Sequence, residues 1–306
     1  MNPPGAPRSG LVQRGNSSRG RAGPGRRRRL VNVGACLLLA LSVVLALVPL
    51  IAVLIYTVSR GIKALSPEFL SHSMRGVGPL DTNGGAYHAI IGTLEQVGIA
   101  SLLSIPLGLA VAVYLVEVGK GRFATGVRFL VDVMTGIPSI VAGLFVFSLW
   151  VLVLQQGFSG FAAGLALAIL MLPVVIRSAE EMLKLVPHDL REASYALGVP
   201  QWRTVLSVVL PTAASGITTG ILLAVARVTG ETAPLLLTAF GFDAIKNSPF
   251  DGPQSGLPLY VFSQASSAFD VAIDRAWAGA LTLILLVMGM IMLARLLSRR
   301  SRLVVS

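Results

Sequence analysis

The chain is poor in charge. Of its 306 residues only 13% are Asp, Glu, Lys or Arg, about half the share of an average soluble domain, which argues against a water-soluble enzyme. A single cysteine, Cys36, excludes a disulfide framework and any Cys-x-x-Cys metal cluster. Three histidines, none paired at ligand spacing, leave little material for a zinc site. Acids are scarcer than bases, 14 against 25, for a net charge of +11. No aromatic residues are interleaved with the arginines of the N-terminal segment, so the excess does not indicate nucleic acid as a partner. A G-x-x-x-x-G-K-[ST] phosphate loop is also missing: Lys120 follows Gly119, but Gly121 stands where a serine or threonine would hold magnesium. Any cofactor of ATP chemistry, ATP and magnesium alike, therefore belongs to another chain.

What the sequence has is apolar residues, 54% of the total. They gather in six runs, Val31 to Val58, Ala89 to Val116, Phe129 to Leu154, Phe158 to Ile176, Thr212 to Phe240 and Trp277 to Leu297. Each is near or above the roughly 20 residues that cross a bilayer as a helix. The runs are continuous rather than alternating, which excludes a membrane β-barrel. The first follows Arg26 to Arg29 but is longer than a signal-peptide core and has no small-x-small cleavage site near its end, so it reads as a permanent span. The expected fold class is an all-α polytopic membrane protein with six transmembrane helices.

Charge placement predicts orientation, because cytoplasmic loops collect lysine and arginine. Eight arginines precede residue 30; Lys120, Arg122 and Arg128 form a second group, Arg177, Lys184, Arg191 and Arg203 a third, and Arg295, Arg299, Arg300 and Arg302 a fourth. All 19 fall on one side, against Arg60, Lys63, Arg75, Lys246 and Arg275 on the other. Both termini are thus expected in the cytoplasm, with a multi-pass chain in the cytoplasmic membrane. Residues 1–29 read as a disordered basic tail attracted to anionic lipid, or simply as a determinant of topology. Residues 30–300 read as one transmembrane domain. The outer segment 241–276 is expected to hold short re-entrant or surface helices.

The cytoplasmic loop 177–211 does not read as a linker. A helix is expected over Ser178 to Leu185. A second follows Pro187, with Asp189 as N-cap and Glu192 completing a capping box, and ends at Gly198; a third begins beyond Pro200. Leu190, Ala193, Leu197, Trp202, Val205, Leu206 and Val209 make this hairpin partly apolar, so it either packs back on its own helices or receives a partner.

Within that loop Glu192-Ala193-Ser194, three residues, Gly198, nine residues and Val208-Val209-Leu210-Pro211 resemble the E-A-A-x-x-x-G-x(9)-I-x-L-P signature of bacterial ATP-binding-cassette importer permeases. Only Ser194 and Val208 depart from it. Arg227-Val228-Thr229-Gly230-Glu231-Thr232-Ala233-Pro234 resembles a segment of the phosphate-importer permeases in particular. Gly136-Ile137-Pro138-Ser139-Ile140-Val141 and Pro106-Leu107-Gly108 with Tyr114-Leu115 and Glu117 are similar to that subfamily too. The resemblance implies a type I importer permease fold of a bacterial inner membrane, in which Glu192, Ala193, Ser194, Leu197, Gly198 and Pro211 serve ATPase coupling. It also implies a second, different permease subunit, two ATPase subunits that hydrolyse ATP, an external phosphate-binding protein and phosphate as cargo. The chain itself is then not an enzyme. A sulfate or molybdate permease and a proton-coupled secondary transporter remain as alternatives.

Arg227 is the one basic residue the side count leaves over, and it falls near the middle of the fifth run. At mid-membrane an arginine costs about 2.5–3.5 kcal/mol on insertion scales, so it needs a partner, a cavity or a substrate. Glu231, four residues on, would project about 40° away on a continuous helix, within reach of an ion pair. Gly230 and Pro234 weaken the helix in the same turn, and broken helices at the midplane line substrate routes. Candidate route residues are Arg227, Thr229 and Glu231, with Glu95 and Ser139 as secondary candidates. Glu95 either neighbours Arg227 or sits near the outer surface. Pro138, Gly230 and Pro234 are the expected helix breaks, and Gly160-x-x-x-Gly164 and Gly216-x-x-x-Gly220 the expected packing sites.

Overall fold

The computed structural model describes residues 25–302 apart from 79 and 247. Most of the basic tail read over residues 1–29 therefore lies outside the described residues. Its last four arginines already belong to helix α1 (Arg26–Ala64). Contacts divide the chain after Leu54. Up to that point α1 is exposed along nearly all its length and apolar all round, a surface suited to lipid or another protein rather than to water.

In the body that starts at Ile55, the end of α1 meets α12 (Asp270–Arg302). Gly61 has the Trp277 carbonyl and Leu281 where a side chain would stand, and Tyr56 lies edge-on to Trp277 at 4.9 Å. The central element is α6 (Gly160–Lys184), against which α3 (Tyr87–Val113), α9 (Leu210–Thr229), α5 (Ser139–Val146), α10 (Ala233–Thr238) and α4 (Gly121–Thr135) pack. Small residues permit this. Gly108 admits Val175 and Gly164 admits Ile99, while Gly216 and Gly220 lie against Met182 and Ser178. Of the two glycine pairs named from the sequence, Gly164, Gly216 and Gly220 thus sit at helix contacts, while Gly160 faces the Gln254 side chain. Val97, Ala100, Leu167, Met171, Val175, Ala224, Val228 and Leu235 fill the core between them.

Among the described residues five helices are long and apolar enough to span a bilayer, and the third apolar run belongs to a bent pair. In place of one helix over 129–154, α4 stops at Thr135 and a second segment runs Ser139–Val153, turned by 104°. Pro138 lacks an amide donor and forces the preceding residue out of helical geometry, so the break follows from the sequence Gly136-Ile137-Pro138. The second segment continues α5 as a π-helical stretch, Phe147–Val153.

Other boundaries differ from the sequence reading too, among them the start of α12 at Asp270 rather than Trp277. The helix expected over Ser178 to Leu185 is the end of α6, which continues to Lys184. Its polar turns persist because the buried Glu180 is held by Arg128 at 3.1 Å, Arg177 at 3.3 Å and Lys184 at 3.1 Å, while Arg177 also pairs with Asp132. The fifth run is not one helix to Phe240. It ends at Thr229, and α10 follows after a short gap.

Outside these helices α2 (Pro67–Ser71) is capped by Ser66, whose hydroxyl accepts from the Phe69 amide. Helix α11 (Leu257–Ala265) lies in segment 241–276, the segment expected to hold short helices. It is seated on α3: the Leu257 amide donates to Thr93 Oγ1 at 2.7 Å, and the Ser255 carbonyl fills the space beside Gly92.

Candidate substrate route and coupling surface

The break between α9 and α10 is built by Gly230. The amides of Gly230 and Glu231 reach back only three residues, to the Arg227 and Val228 carbonyls at 3.1 and 3.2 Å, and the α-helical ladder stops. Pro234 then stands in the first turn of α10, where a missing N–H costs nothing. Arg227 is thereby placed in the last turn of α9 rather than mid-helix, so its charge opposes the partial negative charge of that helix end. Its side chain is exposed, on the face of α9 that also presents Thr219 and Leu223. Among the described residues no ion pair joins Arg227 to Glu231. The continuous helix that would align them ends between the two.

Thr229 is buried, and its hydroxyl donates to the Val225 carbonyl at 2.7 Å. That side chain faces the core of the body, away from the exposed arginine. Glu95 is half-buried and accepts from Gln254 Nε2, while Gln254 Oε1 accepts from Gln96 Nε2 at 3.1 Å. Glu95 therefore contacts Gln254 of segment 241–276, and among the described residues Arg227 is not its ion-pair partner. Ser139 opens α5 directly after Pro138. One turn on, Gly143 packs on Pro234, which brings the break at 136–138 and the break at 230–232 side by side.

On the loop, α7 (His188–Ala196) begins two residues earlier than the capping-box reading requires. Pro187 is the N-cap, His188 is already helical, and Asp189 lies in the first turn as a charge facing the helix N-terminus. Glu192 is consequently exposed and free of a capping role. The C-terminus matches expectation in detail. Gly198 has φ of +78°, its amide donates to the Tyr195 carbonyl at 2.9 Å, and the Val199 amide donates to the Ser194 carbonyl at 3.2 Å, a Schellman closure. Then α8 (Gln201–Thr204) leads into a π-helical turn, Val205–Val209, and on into α9. Pro211 cannot donate to the Ser207 carbonyl and its ring would crowd it, which accounts for the widened turn just before it.

Of the motif residues, Ser194 is buried with its hydroxyl 2.8 Å from that of Thr204. Ala193 and Leu197 face outward, Leu197 at 83% exposure. Leu185, Trp202 and Leu206 are likewise exposed apolar side chains at the loop. Glu117 and Arg191 escaped the site reading: one figured only as part of a motif, the other only in the side count. Arg191 donates to Glu117 Oε1 through Nε at 3.2 Å and Nη2 at 2.9 Å, and both side chains are at most 10% exposed. The detectable signal is a cation directly before the loop's key glutamate, Glu192, on a short helix.

A family described as "Binding-protein-dependent transport system inner membrane component" matches residues 104–303. The chain belongs to that family. It is similar to the phosphate transport system permease protein PstA 1 of Mycobacterium tuberculosis, 49% identical over 262 residues that cover 85% of each protein. It is also similar to the phosphate transport system permease protein PstA of Haemophilus influenzae, 40% identical over 257 residues, 84% of this chain and 89% of that one. Among solved structures its fold resembles a bacterial ABC transporter involved in the import of the acidic polysaccharide alginate, with TM-score 0.58, 13% identity and coverage of 89% and 99%. It also resembles the MetNI methionine ABC transporter in an inward-facing conformation, with TM-score 0.55, 18% identity and coverage of 72% and 97%. Fold and family agree with an all-helical membrane protein. The family match includes the α7–α8 loop, the 136–138 break and the α9–α10 break, and starts after Glu95.

Proposed function

We propose that this chain is the permease subunit of an ATP-driven importer that moves inorganic phosphate across the bacterial inner membrane. The observation that carries the reading is its identity of 38–49% with proteins named as phosphate transport system permeases. Chemistry on the chain supports it. Arg227 is an exposed guanidinium at the end of an apolar helix, beside two helix breaks, and its planar fork suits a phosphate oxyanion. Membership in a binding-protein-dependent family disfavours a proton-coupled secondary carrier, and the relatives' names disfavour sulfate or molybdate.

The partners of such a permease are an ATPase, a second permease and an external substrate-binding protein. In the finer reading the second permease is a different chain and two ATPase subunits carry ATP and magnesium, docking on Glu192, Ala193, Leu197 and the apolar surface around them. Ser194 and Gly198 shape that surface, and Pro211 ends it. Both termini lie in the cytoplasm, as the side count of basic residues supports. The route runs past Arg227 and Glu231, with Ser139 at the neighbouring break, Thr229 fixing the helix end and Glu95 on the outer side. Uptake of labelled phosphate by cells deleted for this chain, with and without a plasmid copy, tests the function. Restored uptake supports it, and uptake indifferent to the chain overturns it.

A further inference from the structure

The docking loop meets the end of α3 at one buried side chain, that of Glu117. Glu117 lies in the π-helical turn Tyr114–Val118 that ends α3. Its carboxylate receives Arg191 from α7, and its backbone carbonyl accepts from Gln201 Nε2 of α8 at 2.7 Å. The same guanidinium donates to the Val186 and Leu183 carbonyls at 2.6 and 3.0 Å, at the end of α6. Arg191 thus divides its donors between two elements, the end of α3 and the end of α6. Ser194 and Thr204 tie α7 to α8 from the other side. Beneath this junction Ala112, Leu183 and Val209 share one apolar cluster, which adds α3, α6 and the π-turn before α9 to the same body.

A surface hairpin that only displayed apolar side chains would not need a buried ion pair. Such a pair is costly to desolvate and is strongly disfavoured when one partner is lost, so it fixes geometry rather than adding stability. From Glu117, α3 runs as one helix to Glu95 and Gln96, about 33 Å away at 1.5 Å per residue. There it holds Gln254 of the outer segment.

We infer that the Glu117–Arg191 pair is the rigid joint through which movement of the docking loop is transmitted to α3, and by α3 to the outer segment around Gln254. Glu117 and Arg191 are positioning residues in this role and do not touch the cargo. The inference rests on the reading that the loop docks an ATPase.

The test uses the complete importer in proteoliposomes, with Glu117→Gln and Arg191→Lys. Two quantities are read separately: retention of the ATPase on purification, and phosphate moved per ATP hydrolysed. The expected result is full retention with transport per ATP reduced about ten-fold, the size of a typical coupling free energy. Retention with an unchanged ratio would overturn the joint. Failure of the unsubstituted chain to retain the ATPase would instead overturn the docking reading. Should the variants not assemble, spin labels at the exposed positions Val118 and Tyr195, in a Cys36→Ser background with Glu117 and Arg191 intact, decide the matter. A distance unchanged between nucleotide-free and ATP-trapped importer supports the joint, and a distance that shifts with nucleotide overturns it.

Discussion

A side-chain carbon added at Gly143 would fall 2.6 Å from Cα of Pro234. The two broken segments of this permease therefore touch backbone to backbone, at Pro234 of one motif and two residues beyond the other. The neighbour is main chain and cannot swing aside, so Gly143→Ala must displace α10. A destabilisation of about 1–3 kcal/mol is expected for such overpacking. It should show as a lowered thermal midpoint in detergent together with reduced phosphate uptake. An alanine variant with native midpoint and uptake would contradict the contact.

Arg227 is exposed and makes no ion pair among the described residues, so removing it should not unfold the chain. Arg227→Gln is expected to leave stability within about 0.5 kcal/mol, as for other surface substitutions. Uptake should nevertheless be lost. Arg227→Lys keeps the charge without the planar fork and should recover only part of the rate. Thermal midpoint and initial uptake rate, measured on the same preparations, separate the two effects.

Glu231 lies in the break, where its carboxylate can accept the proton that hydrogen phosphate still carries and sulfate lacks. Glu231→Gln is expected to weaken phosphate transport and to admit sulfate. Intact phosphate transport without any sulfate uptake would sink this role. Exchanging the two residues, Arg227→Glu with Glu231→Arg, should not restore transport, because the helix ends between them. Full restoration would indicate a simple ion pair.

Gly198 requires a left-handed conformation but has open space around it. Gly198→Ala should therefore cost about 1–2 kcal/mol through backbone strain alone, and Gly198→Asn less. Leu197→Ser and Trp202→Ala, at sites 83% and 63% exposed, should leave the permease as stable as before. All but the asparagine variant are expected to reduce retention of the ATPase during affinity purification. Retention unaffected by Leu197→Ser and Trp202→Ala together would place the docking surface elsewhere.

Much of this architecture is legible in the residues. Apolar runs mark the long helices because a bilayer leaves few other solutions, and Gly198 announces its turn because only a left-handed residue closes that helix. Boundaries were lost where two signals compete. Glu180 lies past the apolar run, in what reads as a separate helix, yet three cations let α6 carry it inward. Gly230 reads as a weakness in a span but ends the helix outright, which separates Arg227 from Glu231. The Glu117–Arg191 contact joins positions 74 residues apart, and no local pattern reports a pairing that only the packing of α7 against α3 creates.

The central claim is that this chain carries phosphate for an importer powered elsewhere. Its most direct test is labelled phosphate uptake into proteoliposomes that hold the chain with its second permease and ATPase, supplied with binding protein outside and ATP inside, in the presence of excess sulfate. The account predicts uptake that requires ATP, resists sulfate and disappears with Arg227→Gln. Uptake that sulfate suppresses, or that survives the loss of Arg227 unchanged, would contradict it.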